Sequence, residues 1–412
     1  MNLREERGKA IASTGSIKPS DKALTYIVPS QSGQRSYKVD LTGEDPTCTC
    51  PDFETRGRAC KHVYAVAFVV VHKENSDGST TTTQAVTLTE TRETYPQNWK
   101  AYNRAQTTEQ DRFQVLLADL CAGVAEPECK FGRPPLLLKD MIFSATFKIY
   151  STFSGRRFMS DLRESHERGH IGKTPHYNSI FRYLESDSLT PILRDLVTQS
   201  SLPLKAVETD FAVDSSGFTT SKFFRWYDHK YGRVREKHDW VKAHLICGVK
   251  TNVVTGIEIA DREANDSPFM APLVEITAKN FKIVEVSGDK AYASVKNFET
   301  VVASGGVPFV PFRIDHSGRK GGLWQKLFHF FMFERETFLE HYHKRSNVES
   351  TFSMMKRKFG DSLRSRTDTA MVNEALCKVL CHNLVVLIHE IHELGIEPKF
   401  WTVEPVANAL PQ

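Results

Sequence analysis

The chain has 412 residues, 40% of them hydrophobic and 25% charged, with a formal net charge of +4. That balance provides core for two or three domains and excludes collagen-like, low-complexity and wholly disordered chains. The longest apolar run, Val63–Val71, is far short of the roughly 20 residues a membrane-spanning helix needs, and MNLREERGKAIAS carries no apolar stretch, so a soluble cytoplasmic protein without a membrane partner is expected.

Taken in chain order, LTYIVPS and RSYKVDLTG flank a QSGQ turn and predict a short strand pair. CTCPDFETRGRACKH then places Cys48, Cys50, Cys60 and His62 in the pattern C-x-C, nine residues, C-x-H. On an extended segment Cys48 and Cys50 point to the same side, and Cys60 and His62 open the apolar helix that follows. Three thiolates and one imidazole complete a tetrahedral Zn²⁺ shell with no position left for water, which makes such a site structural. Four unrelated residues, or a disulfide pair, is the plain alternative. The pattern resembles the SWIM zinc finger, which implies a nucleic-acid- or protein-binding domain over residues 1–72. Cys121, Cys247, Cys377 and Cys381 are scattered through expected helices and strands, which points to a reducing compartment with one metal site. Cys377, Cys381 and the adjacent His382 sit in an apolar helix and read as core.

Residues 73–98 are Thr-rich and polar, and read as a linker containing at most a short strand. From Trp99 the pattern turns helical, in QDRFQVLLADLCAGV, LLLKDMIFSATFKIYSTFSG, RRFMSDLRESHERG, HYNSIFRYLES and TPILRDLV. A region of short helices over residues 99–200 suits a DNA-gripping helix-turn-helix arrangement and a plain packing bundle equally.

Strands take over from Leu204. LKAVETDFAVD is a β run ending at Asp214 with SSGF as a turn, WVKAHLICGVK and VVTGIEIA form a hairpin, FKIVEVSGDKAYAS is a strand ending at Asp289, and GVPFVPF is a further short strand. Between them, Arg225–His244 holds six Lys or Arg against three acids, interleaved with Trp226, Tyr227, Tyr231 and Trp240. Basic groups beside stacking rings suit DNA strands.

The stretch Tyr342–Gly360, YHKRSNVESTFSMMKRKFG, reads as one helix. At about 100° per residue Tyr342, Arg345, Glu349 and Lys356 fall within about 60° of one another. Val348, Phe352, Met355 and Phe359 form a separate apolar stripe beside them. Lys344 to Arg366 carries seven Lys or Arg against two acids, more positive than the whole chain, and such a concentrated field suits a phosphate backbone.

Tyr342, two residues, Arg345, three residues, Glu349, six residues, Lys356 resembles the Y-R-E-K signature of DDE transposases of prokaryotic insertion sequences. The resemblance implies a ribonuclease-H-like mixed α/β sheet flanked by helices over residues 204–395, preceded by the helical region and the finger, with residues 396–412 as a tail. It also implies that Glu349 is the last of three carboxylates binding Mg²⁺ or Mn²⁺, with Asp214 and Asp289 before it. Asp210, four residues earlier on the same strand face, is the rival for Asp214, which VDSSGF favours. Asp266, in ANDSPF, resembles a recurrent family segment and equally suits an N-cap before Pro268. Arg345 and Lys356 would neutralise phosphates, Tyr342 would meet the DNA backbone, and Trp324 would stack on a displaced base. The implied activity is metal-dependent cleavage of insertion-sequence ends and strand transfer into target DNA by a homodimer bridging two terminal inverted repeats, in a nucleoid-associated setting. A DNA nuclease without strand joining and an inactive DNA-binding relative are the competing readings.

Overall fold

A computed structural model describes residues 3–401, except 13, 15–16, 23, 32–34, 43–44, 75–79, 85–97, 129–134, 221–239, 261–262 and 314. Most of the basic and aromatic tract at 225–244, much of the 73–98 linker and residues 402–412 of the 396–412 tail therefore lie outside the described residues. The chain divides into two compact units, Met1–Thr91 and Arg92–Gln412.

In the first unit, helix α1 (Leu3–Ala12) accompanies an antiparallel sheet of β1 (Lys18–Pro19), β2 (Thr25–Pro29), β3 (Ser36–Asp40) and β4 (Thr47–Cys48). The expected strand pair is present, with Tyr26 opposite Val39. Short α2 (Pro51–Arg56) and the apolar α3 (Lys61–Val69) follow, then a hairpin of β5 (Val70–Glu74) and β6 (Thr80–Gln84). The core is small: Ile11, Val28, Val39, Val63 and Val66 close around the cysteines.

The second unit begins with α4 (Trp99–Ala122), α5 (Leu138–Ser151), α6 (Gly155–Glu167), α7 (Tyr177–Leu184) and α8 (Leu189–Ser201). A five-stranded sheet follows, built from β7 (Asp210–Thr219), β8 (Trp240–Gly248), β9 (Val254–Ala260), β10 (Glu285–Gly288) and β11 (Val307–Phe309) in the order β11-β10-β7-β8-β9. β7, β8 and β9 form an antiparallel meander, whereas β10 runs parallel to both β7 and β11. This is the mixed sheet expected of a ribonuclease-H-like core. Around it lie α9 (Ser267–Ala278), α10 (Val295–Ala303), α11 (Gly322–Phe333), α12 (Arg335–Tyr342), α13 (Ser346–Phe359) and α14 (Asp368–Glu393).

Helix α14 is long and apolar enough to cross a membrane, but it is buried along nearly its whole length inside this unit. Its Leu376, Leu380, Leu384 and Leu387 share one core with Phe113 and Leu117 of α4, Phe143 and Phe147 of α5, Leu245 of β8, and Val348, Phe352, Met355 and Phe359 of α13. The predicted apolar stripe of α13 is thus fully used, each side chain contributing about 1.5–3 kcal/mol through burial. Because α4–α8 pack into the core of the sheet, the core shows no break at residue 200. Cys377, Cys381 and His382 are buried, as expected of core residues.

Two local expectations give way to longer-range structure. SSGF is not a turn, because β7 continues to Thr219, paired throughout with β8 as far as Trp240. Cross-strand pairing overrides the turn preference of Ser and Gly. Nor is Tyr342–Gly360 a single helix: a 3₁₀ turn at His343–Arg345 separates α12 from α13. The turn is pinned from a distance, since Lys344 Nζ donates to Asp210 Oδ2 at 2.7 Å and to Glu285 Oε2 at 2.9 Å.

Candidate active site

The register between β7 and its parallel neighbour decides where the first two aspartates meet. Gly288, the last residue of β10, lies opposite Val213, so Asp289 leaves its strand beside Asp214. Neighbouring strands run about 4.8 Å apart. Asp214 is therefore not at the end of its own strand, but at the level where the parallel side of the sheet stops and opens. Asp289 begins the next turn and accepts a hydrogen bond from Lys290 N at 2.6 Å.

Glu349 approaches from the first turn of α13 and is half exposed. Arg345 joins it to Asp214: Nη1 donates to Asp214 Oδ2 at 3.0 Å and Nη2 to Glu349 Oε1 at 2.7 Å. Among the described residues these acids do not close to the spacing of a ready-made ligand shell, because the guanidinium stands between two of them. Burial, with Glu349 and Asp289 close by, pushes Asp214 up to about 6, against the opposing pull of the Ser215 N–H and Arg345. A carboxylate so placed gains from any added positive charge, and an all-oxygen donor set suits Mg²⁺ or Mn²⁺. Asp210 is engaged elsewhere, with Lys344.

Lys356 lies farther along α13, half-buried, with its ammonium 5.5 Å from the Phe218 ring and donating to Ser216 Oγ at 2.6 Å. Burial lowers its pKa. The other two expected DNA contacts are placed differently. Tyr342 is 5% exposed and stacks on Phe338, and Trp324 is 2% exposed, between Phe298 and Phe312 with Nε1 donating to Ser317 O. In this arrangement neither ring offers a face to a DNA base or backbone.

Asp266 occupies the N-cap position of α9 yet makes no capping bond. Its carboxylate accepts from Ser215 Oγ at 2.9 Å and pairs with Lys242 Nζ at 2.5 Å. Sequence spacing gave no signal for Ser215, Ser216 or Lys242, because strand pairing alone assembles them.

In the first unit the four expected metal ligands converge. Cys48, Cys50, Cys60 and His62 are all buried, and their ligand atoms lie within 4.8 Å of one another. His62 Nδ1 stands 3.9 Å from Cys48 Sγ and 3.8 Å from Cys60 Sγ, close to the edge lengths of a tetrahedron with Zn–S bonds of about 2.3 Å. Hydrogen bonds from Cys48 and His62 draw the Cys60 thiol well below the usual thiol range. This donor set fits zinc.

The second unit is thus a mixed-sheet domain that gathers two acids where β10 ends beside β7 and brings a third on a basic helix. Residues 205–384 match the model of the transposase DDE domain family, and residues 37–70 match that of the SWIM zinc finger. The chain carries a DDE transposase domain preceded by a SWIM zinc finger. It is also 26% identical over 210 residues to a probable transposase for insertion sequence element ISA1214 of Archaeoglobus fulgidus, a match covering 50% of this chain. The match spans 62% of the relative's length, short of two thirds.

Proposed function

We propose that the chain is a transposase that cuts the ends of an insertion sequence and joins the freed 3′ hydroxyls to target DNA by metal-dependent phosphoryl transfer. The observation that carries this reading is Asp214 on β7 beside Asp289, the first residue past the end of the parallel strand β10, with Arg345 linking Asp214 to Glu349.

Asp214, Asp289 and Glu349 would hold Mg²⁺ or Mn²⁺. When bound, a pair of such ions supplies activation of the attacking oxygen and stabilisation of the leaving one. The chain's own cations handle the substrate. Arg345, held by two acids, is aimed at the point where a scissile phosphate must come, and its fork suits phosphate oxygens. Lys356, with the exposed Arg357 beside it, extends that field along α13, while Lys358 pairs with Glu109 of α4. The Thr219 edge of β7 bonds to the segment after α13, through Thr219 N to Asp361 O and Leu363 N to Thr219 O, which ties the basic helix end to the catalytic strand. The helices of residues 99–200 and the finger are proposed DNA contacts, as are Tyr342 and Trp324 once their packing opens. A homodimer that bridges two terminal inverted repeats completes the reading, with the nucleoid as its place of action.

The test is incubation of purified protein with labelled DNA carrying its element end, in Mg²⁺ or EDTA, for wild type and Glu349→Ala. Metal-dependent cleavage and joining by wild type, lost in the variant, is the expected result. Cleavage without joining would leave a nuclease, and tight metal-independent binding without cutting would leave a DNA-binding relative.

A further inference from the structure

The sheet has a second polar face at the level of Asp214. Alternation along β7 turns Asp214 and Ser216 toward α13, where Arg345 and Lys356 meet them, and turns Ser215 toward α9. On that side Ser215 pairs across the ladder with His244 of β8. Asp266 Oδ1 accepts from Ser215 Oγ at 2.9 Å and pairs with Lys242 Nζ at 2.5 Å, while His244 Nδ1 lies 3.7 Å away.

His244 is fully buried and stacks on Phe269 at 4.0 Å between ring centroids. Burial holds it near 4, hence neutral at pH 7, so Lys242 carries the charge that compensates Asp266. Lys242 also donates to Ala264 O at 2.9 Å, which fixes the loop that delivers Asp266. A side chain present only to cap α9 would accept from that helix's own N–H groups, and the Asp266 carboxylate accepts from none of them; only its backbone carbonyl takes the Phe269 N–H. Its link to the catalytic face is Ser215, whose backbone N–H donates to Asp214 Oδ1 at 2.8 Å.

We propose that Asp266 is a positioning residue for Asp214: it clamps the Ser215 side chain from the α9 side and thereby fixes the Ser215 N–H that orients the Asp214 carboxylate on the other side. The site of the clamp is mechanically apt, since β10 has ended at Gly288 and Gly217 lies two residues further along β7. A glycine in a strand interior weakens it. The proposal rests on the reading of Asp214 as a metal ligand. Outer-shell partners of ligating carboxylates cost about 10–100-fold in metal affinity when they are removed.

The experiment is Mn²⁺ binding to the full-length protein, followed by electron paramagnetic resonance and calorimetry, for wild type, Asp214→Asn, Ser215→Ala, Asp266→Ala and Asp266→Asn, with thermal unfolding in EDTA as the control. Ser215→Ala and Asp266→Ala are expected to bind Mn²⁺ about 10–100-fold more weakly without a matching fall in unfolding temperature. Asp266→Asn, which keeps an oxygen acceptor for Ser215, should stay closer to wild type. Should Asp266→Ala fail to fold, Ser215→Ala decides alone, because it removes a single oxygen. Wild-type affinity in Ser215→Ala overturns the clamp. Identical Mn²⁺ binding in wild type and Asp214→Asn overturns the ligand reading itself, a distinct failure that takes the clamp with it.

Discussion

Arg345 donates from Nη1 to Asp214 Oδ2 at 3.0 Å, joining a helix entry to a strand 131 residues earlier, while its other terminal nitrogen holds Glu349. The side chain is only 11% exposed, so the contact is largely shielded from water. Replacing it with glutamine leaves two neighbouring carboxylates without their shared cation. Arg345→Gln is expected to lose about 2–4 kcal/mol of stability in EDTA, somewhat less than the roughly 3–5 kcal/mol for breaking a fully buried pair because Glu349 is half exposed. Thermal unfolding with and without Mg²⁺ checks this, and part of the loss should return with the metal. An unchanged unfolding temperature in EDTA would show that the fork carries no structural weight.

Lys356 divides its contacts between Ser216 Oγ and the Phe218 ring, on the face shared with Asp214. If its charge serves phosphate, Lys356→Met should weaken binding across DNA sequences and lower the slope of log affinity against log salt by about one. Binding isotherms at several salt concentrations measure that slope; an unaltered slope would reduce Lys356 to a packing residue.

Trp324 offers a choice between packing and base stacking. Enclosed by Phe298 and Phe312, it should cost about 3–5 kcal/mol when truncated to alanine. Trp324→Phe keeps most of the ring contact and should preserve end cleavage. If Trp324→Phe folds normally yet loses cleavage, the indole acts on DNA after a rearrangement.

The proposed site was legible in the sequence only where short spacing sets which side chains share a face. Arg345 and Glu349 lie one helical turn apart on the face the spacing defines, and there they pair directly with each other. The 3₁₀ break before them was not legible, because Asp210 and Glu285, the partners of Lys344, come from 134 and 59 residues away. Trp324 and Tyr342 read as surface rings because their sequence neighbours are basic. Phe298, Phe312 and Phe338 bury them, and no local pattern announces that. Asp266 had a visible signal in ANDSPF, but its partners Ser215 and Lys242 emerge only from the strand ladder.

The finger should depend on its metal. With so few aliphatic residues behind it, the Cys48, Cys50, Cys60 and His62 cluster holds the unit together, and structural zinc contributes on the order of 10 kcal/mol in such small folds. Chelation, or Cys60→Ser, is expected to abolish protection of Met1–Thr91 in hydrogen exchange while α14 stays protected. Persistent protection of α3 in the chelated protein would refute a structural role for zinc.

His382 sets a pH response. It is buried in α14, donates from Nε2 to Asn252 O at 2.9 Å at the β8–β9 turn, and burial lowers it to about 4. The unfolded chain therefore binds the extra proton first. The stabilising contribution is complete above an ordinary histidine pKa of about 6.5, and is lost as pH falls toward 4, about 3 kcal/mol at most. His382→Gln, which can still donate to Asn252 O, should flatten this part of the stability profile. Parallel wild-type and variant curves between pH 7 and 4 would remove His382 as the cause.

Helix α14 begins at Asp368, later in the chain than the three acids proposed as catalytic, and fills the centre of the core that supports them. During synthesis, then, Asp214, Asp289 and Glu349 all leave the ribosome before the element that holds their sheet and helix together. A nascent chain arrested before Asp368 should bind no Mn²⁺ at these acids and cut no DNA, so the proposed centre comes into being only after α14 has been made. Placing the core helix after these acids would keep the proposed activity away from DNA until this unit is whole.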